Sequence, residues 1–251
     1  TMATNGLRNL LVEISYNGAN YHGYQVQKNA ITITEVVQDA IQKVLKKRED
    51  IIGCSRTDSK VHANSYFFNM KTQCPIPIKK LIVILNNALP TDIVLLSCKE
   101  VPLEFHARHD CIGKEYIYKI YDSEKRIPFL STLALHHPKS IDADMLNEVA
   151  QQIVGEHDFT SFCSLGFKKG STMIKNVEYI NVSRKEDFVF VKIKANAFLY
   201  NMVRIIVGTL LYVNDGKIKK DEIINIINAK DRTKAGKTAE PQGLYLNQVF
   251  Y

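Results

Sequence analysis

Residues 51–70 read IIGCSRTDSKVHANSYFFNM, two strand-like segments on either side of a turn that carries an arginine, a threonine, an aspartate, a lysine and a histidine. Gly53 lets the chain turn, and a simple reversal between strands needs none of those charges. Arg56 and Lys60 flank Asp58, and opposite charges favour an ionised carboxylate. That is the state a nucleophile or a general base requires. The other reading is a charged turn in which Thr57 and Asp58 cap the next element.

Outward from this turn the chain alternates strand and helix patterns. LLVEISY (10–16) alternates like a strand, and Thr32-Ile33-Thr34-Glu35 spells a capping box. The helix that follows carries Val37, Ala40, Ile41, Val44 and Leu45 on one stripe. After SYFFNM comes a helix over 78–88, ended by Pro90, and then the strand pattern IVLLSCKEV (93–101). EYIYKIY (115–121) alternates again, and Asp142 can cap a helix whose Met145, Leu146, Val149, Ala150, Ile153 and Val154 recur at helical spacing. VEYINVSR and FVFVKIKANA flank Glu186-Asp187 as a hairpin would. A helix over 198–213, a shorter one over 221–230 and a closing strand over 243–251 complete the pattern. The spacing predicts two α+β domains of related design, 7–103 and 104–251, with residues 1–6 an expression remnant or a disordered N-terminus.

The chain has 251 residues, 45% of them hydrophobic, with 33 Lys and Arg against 26 Asp and Glu, a net charge of +7. Such a balance suits a polyanionic partner but is also found in ordinary soluble proteins. The five cysteines include no CxxC pair, which argues against a zinc knuckle or a disulfide framework and fits a reducing cytosol. No signal-peptide pattern is visible in the opening residues. The longest apolar run, 197–213, contains Asn201 and Arg204 and falls short of a membrane span. There is no GxGxxG after a strand, no GxxxxGK[ST] and no GxSxG, so the usual nucleotide loops and the hydrolase elbow are missing.

Asn201, Arg204 and Gly208 share a stripe of the late apolar helix, which sends one guanidinium inward. A buried charge costs several kcal/mol unless it is paired and hydrogen-bonded, so the fold must supply a carboxylate. A structural ion pair, or an arginine reaching solvent past Gly208, satisfies that demand equally well. Further on, EFHARHD (104–110) and GKEYIY (113–118) set basic residues before alternating tyrosines. RNA bases are held by aromatic platforms beside phosphate-binding cations. Tyr116 could equally be a core residue with its hydroxyl at the rim. His106, His109 and Asp110 raise a metal-dependent hydrolase as an alternative, but two histidines three apart lack a third ligand nearby, and surface histidines are the plainer reading. Lys168 and Lys169 read as a phosphate-touching loop or a solvated hairpin tip.

YHGYQVQ (21–27), GCSRTDSKVHA (53–63), EFHAR (104–108), KEYIY (114–118), GEHDFTSF (155–162), IKANAFLYNMVRIIVG (193–208), AKDRT (229–233) and GLYL (243–246) follow in one order. In that order the chain resembles the TruA family of tRNA pseudouridine synthases from about residue 9 to its end. The resemblance implies an α+β fold of two domains, each a mostly antiparallel or mixed sheet flanked by helices, with a basic cleft between them. It also implies a cytoplasmic homodimer that isomerises uridine at positions 38–40 of the tRNA anticodon arm, with no metal, no nucleotide cofactor and no membrane. By the same resemblance Asp58 is the catalytic residue, Tyr116 stacks on the flipped-out base, and Arg204 pairs with Asp58. Arg56 holds the extruded nucleotide's place or contacts its backbone, and Lys60, His62, Arg108, Lys114, Lys168 and Lys169 are further candidates for RNA contact. Attack at C1′, addition at C6 and removal of the 2′ proton all call for the same ionised carboxylate. A catalytically silent RNA-binding protein of the same fold is the alternative. The chain departs from the family pattern at Ser55, Ser59, Lys60 and Val26, where glycine, alanine, glycine and arginine are usual.

Overall fold

The computed structural model describes residues 6–164 and 172–251. They fall into two units, one running to Cys111 and taking back Leu246–Tyr251, the other Ile112–Tyr245. The sequence reading divides the chain at residue 103, whereas the segment 102–107 stays with the first unit. The reason is a set of hydrogen bonds: Asn9 Nδ2 donates to the carbonyls of Pro102 and Phe105, and Ala107 N–H donates to Asn69 Oδ1. Asn9 and Asn69 are both fully buried, so those groups need partners. The last residue is tied in the same way, since the Tyr251 hydroxyl donates to Ala107 O and its ring meets Phe67 and Phe105.

In the first unit β1 (Arg8–Tyr16) lies antiparallel between β3 (His62–Thr72) and β4 (Ile93–Val101), while the short β2 (Ile51–Gly53) pairs with β3. The alternation of β1 sets Leu10, Val12 and Ile14 opposite Met70, Phe68 and Tyr66 of β3, all six buried. Each such side chain stabilises the unit by about 1.5–3 kcal/mol relative to an exposed one. Helix α1 (Ile33–Leu45) starts where expected, with the Thr32 hydroxyl accepting the Glu35 N–H. Its buried Ile33, Val37, Ala40 and Ile41 form the stripe, and α2 (Ile78–Ala88), which buries Leu81 and Leu85, packs beside it.

The second unit is built on β5 (Gly113–Asp122), which pairs antiparallel with β9 (Phe188–Ala195); β9 pairs with β8 (Ile174–Lys185), and β8 with β7 (Gly155–Asp158). A short β6 (Leu135–His137) adds to β5 in parallel. The β8–β9 hairpin turns at Glu186-Asp187 as the sequence suggests. Helix α3 (Ala143–Ala150), capped by Asp142, packs on β8 and beside α4 (Met202–Asn214), and α5 (Ile223–Ala229) follows. Every residue of α4 is buried except Arg204, Tyr212 and Asn214. That helix starts at Met202 rather than at 198, because Asn201 adopts φ 61°, which asparagine tolerates better than most residues. The closing strand, β10 (Leu244–Phe250), lies beside β3 from Leu246 on, where Asn64 donates to Asn247. Lys168 and Lys169 lie outside the described residues.

Candidate functional site

The turn that holds Asp58 is fixed from both sides of the carboxylate. Before it, Thr57 is buried, its hydroxyl 2.8 Å from that of Tyr16, and its carbonyl accepts the Tyr24 N–H at 3.2 Å. After it, Val61 N–H donates back to Asp58 O, and Lys60 N–H and the Ser59 hydroxyl donate to Tyr21 O. Further back, Cys54 N–H donates to Phe67 O, and the Tyr66 hydroxyl donates to Ser55 O. The facing loop, 17–24, must come very close to do this. Gly23 sits at φ 86°, and a Cβ there would lie 2.7 Å from Thr57 O. Asp58 itself is half-buried in this frame.

Lys60 has φ 65°, the left-handed region that a glycine enters freely and a lysine at a cost of about 1 kcal/mol. This is the position where the sequence resemblance leads one to expect glycine. The lysine is accommodated because its side chain is exposed. His62, expected as an RNA contact, is 1% exposed and its Nδ1 accepts the Gly18 N–H at 2.9 Å. An Nδ1 that accepts carries no proton, so the ring is the neutral Nε2–H form. Its position makes it a strut between the two loops rather than a surface that RNA could touch.

The other residues singled out in this unit gather around one cavity of about 440 Å³, lined by Tyr24, Gln25, Val26, Thr34, Ile51, Ile52, Gly53, Arg56, His106, Arg108 and His109. Arg56 and Arg108 are exposed. His106 and His109, expected as surface residues, lie at the surface with ring centroids 4.0 Å apart and planes tilted by 41°, and both line the cavity with the two arginines. His106 Nδ1 accepts the N–H groups of Arg108 and His109, and His106 N–H donates to Asp110 Oδ2 at 2.7 Å. Partial burial, His109 and Arg108 together hold His106 below the ordinary imidazole range. Its neutral ring therefore carries its proton on Nε2. Behind the cavity, Tyr24 stacks on Tyr66 with centroids 4.2 Å apart, and its buried hydroxyl has no hydrogen-bond partner among the described residues. No group of three or more His, Cys, Asp or Glu side chains among the described residues could hold a metal ion.

In the second unit Tyr116 is a strand residue of β5, 7% exposed, with its ring edge-on to Phe198 at 5.1 Å. Neighbouring Glu115 is buried and accepts the Tyr179 hydroxyl, while Lys114 stays half-exposed opposite Ala195. Arg204 is held by the segment after residue 235 and by the start of its own helix: its Nε donates to Ala239 O at 2.7 Å, its own carbonyl accepts the Ala239 N–H, and its Nη1 donates to Asn201 Oδ1 at 2.9 Å. The stripe read from the sequence, Asn201, Arg204 and Gly208, is thus one packed face. Tyr118 lies close by, its hydroxyl donating to Glu240 O, and burial pushes that phenol far up.

Comparison with known proteins bears on the same residues. A family model described as tRNA pseudouridine synthase matches residues 14–110 and 149–251, which include Asp58 and Arg204. Curated proteins named tRNA pseudouridine synthase A align over nearly the whole chain. The one from Thermoanaerobacter sp. (strain X514) is 46% identical over 245 residues, 98% of this chain and 100% of that protein. Those from Ruminiclostridium cellulolyticum and Clostridium acetobutylicum are 44% identical over 246 residues and 41% over 245, each again covering 98% of this chain and 100% of the relative. Among solved structures, a Cbf5-Nop10-Gar1 complex overlaps with a TM-score of 0.37 and 14% identity, across 81% of this chain and 54% of that one, too slight a likeness to establish a common fold. With the family model spanning most of its length and relatives aligned end to end, the chain belongs to the tRNA pseudouridine synthases, isomerases that act on tRNA.

Proposed function

We propose that the chain converts uridine to pseudouridine at positions 38–40 of the tRNA anticodon stem-loop, with Asp58 as its catalytic carboxylate. The observation that carries this reading is the Asp58 turn itself. An aspartate set between backbone hydrogen bonds on both sides keeps its geometry without reorganising during the reaction, as catalysis by a positioned charge requires. A charged turn with only a solvent role needs no such frame. In the reaction the N1–C1′ bond breaks, the uracil rotates, and a C5–C1′ bond forms. The C5 proton leaves and N1 gains one, so the sum is an isomerisation.

A uridine in a stem is out of reach of any side chain, so it must leave the stack, at a cost of a few kcal/mol. In this reading the freed base stacks on Tyr116, Arg204 pairs with Asp58, and contacts to phosphates offset the cost of extrusion. Arg56 takes the extruded nucleotide's backbone, with Lys60, Arg108, Lys114, Lys168 and Lys169 as further RNA contacts. The working form is a homodimer in the cytoplasm. Among the described residues, no helix is long and apolar enough to cross a membrane.

Asp58→Asn tests the assignment, since it keeps the shape and removes the charge. Release of tritium from tRNA labelled at uridine C5 should stop, while filter binding of tRNA stays within about tenfold of the parent, because phosphate contacts dominate affinity. Turnover within tenfold of the parent would remove Asp58 from the chemistry. Mapping the pseudouridine made in anticodon-arm variants decides the positions.

A further inference from the structure

The 440 Å³ cavity of the first unit has a composition that the isomerisation does not require. Its volume is that of a small-ligand site. One wall is apolar, with Val26 half-exposed beside Ile51 and Ile52, and the floor at Gly53 carries no side chain. The rim is cationic. Arg56 and Arg108 both reach it, and neither makes an ion pair among the described residues. Two guanidiniums that line one cavity without an ion pair leave it cationic, and such a site gains most from an anion able to accept bidentate bonds from each. His106 adds a neutral Nε2–H donor, fixed by the two backbone N–H groups on its Nδ1.

We propose that this cavity is a second nucleotide subsite on the RNA: Arg56 and Arg108 grip one phosphodiester, His106 donates to the same group or its ribose, and the adjoining base or sugar lies on Val26, Ile51 and Ile52. The phosphodiester is the one that joins the extruded uridine to its neighbour, and the base or sugar on the apolar wall is the neighbour's, not that of the uridine being isomerised. Arg56 stands two residues before Asp58, so the subsite and the Asp58 turn share a backbone, and filling the cavity fixes where the rest of the RNA lies relative to the carboxylate. The proposal rests on tRNA being the substrate and is independent of the roles given to Asp58, Tyr116 and Arg204.

Two variants test it with the parent tRNA. Arg108→Ala removes one guanidinium from an exposed position, and Val26→Trp fills the cavity without changing charge. Arg108→Ala should raise KM about tenfold, more than it lowers kcat, and should make the log–log salt dependence of tRNA binding shallower by about one unit, as loss of one phosphate contact does. Val26→Trp should raise KM to a similar degree and leave the salt slope alone, with melting temperatures of both variants matching the parent. If Arg108→Ala weakens binding and Val26→Trp does not, the arginine acts only as surface charge and the subsite is refuted. Unchanged KM and slope in Arg108→Ala refute it as well. Loss of the catalytic reading shows up separately, as turnover persisting in Asp58→Asn, and leaves these two results interpretable.

Discussion

Gly208→Ala adds a single methyl group to the middle of α4, where alanine is otherwise the better helix former by about 1 kcal/mol. At this position the new Cβ would lie 1.7 Å from the carbonyl oxygen of Lys237, inside any real contact distance. Because the obstacle is backbone, the segment 236–239 must retreat by more than about 1 Å, and close-packed interiors do not yield such shifts without strain of about 1–3 kcal/mol. Three hydrogen bonds cross that seam: Ala239 N–H to Arg204 O at 3.0 Å, Arg204 Nε to Ala239 O at 2.7 Å, and Gly236 N–H to the Thr209 hydroxyl at 2.8 Å. Neutral ones contribute about 1 kcal/mol each, and the one from a guanidinium about 1.5–3. With the helix gain subtracted, a net loss of about 3 kcal/mol follows, or a melting temperature roughly 6–12 °C lower for a chain of this size. Thermal unfolding followed by circular dichroism measures the first part, and tritium release below the melting range measures the second. Since Ala239 orients Arg204, kcat should fall even where the variant is fully folded. A melting temperature within about 2 °C of the parent, or a destabilised variant with unchanged kcat, would refute the reasoning.

Tyr24→Phe removes a buried hydroxyl that makes no hydrogen bond of normal geometry among the described residues, so it should leave stability unchanged or raise it by up to about 1 kcal/mol. A fall of several degrees in the melting temperature would mean the hydroxyl is satisfied after all. In the second unit Asp122 accepts two bonds from Arg184, at 2.8 and 2.6 Å, and the Ile141 N–H at 2.7 Å. The Arg184 bonds, partly opposed by burial, hold this carboxyl below the ordinary range. A depressed folded value means the stabilisation is complete above the unfolded carboxylate value near 4 and disappears as pH falls through the lower folded one. Asp122→Asn should therefore cost about 1–2 kcal/mol in urea unfolding at pH 7, with a difference that narrows below about pH 4. A gap independent of pH would assign the loss to packing.

Much of the architecture is written in local patterns. The alternation of 10–16 and 115–121, the capping box at Thr32, and the helix-spaced stripes of 33–45 and 143–150 each depend on neighbours within a few residues, and each element forms where its pattern lies. The candidate residues were legible through short motifs in a fixed order. Where the reading went astray, the missing information was long-range. Nothing near residue 103 says that Pro102 and Phe105 are held by Asn9, so the division between units was drawn too early. Helix α4 was extended to 198 because apolar residues continue there, while the backbone breaks at Asn201.

The sequence by itself determined which segments are strands and helices, which family they compose, and that Asp58 and Arg204 are the charged residues worth asking about, since periodicity and motif order are properties of the linear chain. Only the tertiary structure decided that His62 is a buried strut, that Lys60 occupies a glycine's conformation with its side chain in solvent, and that His106 and His109 join Arg56 and Arg108 around one cavity. The physical reason is common to all three. Burial, backbone strain and shared cavities arise from approaches between residues far apart in the chain, and no local pattern encodes what will be packed against it.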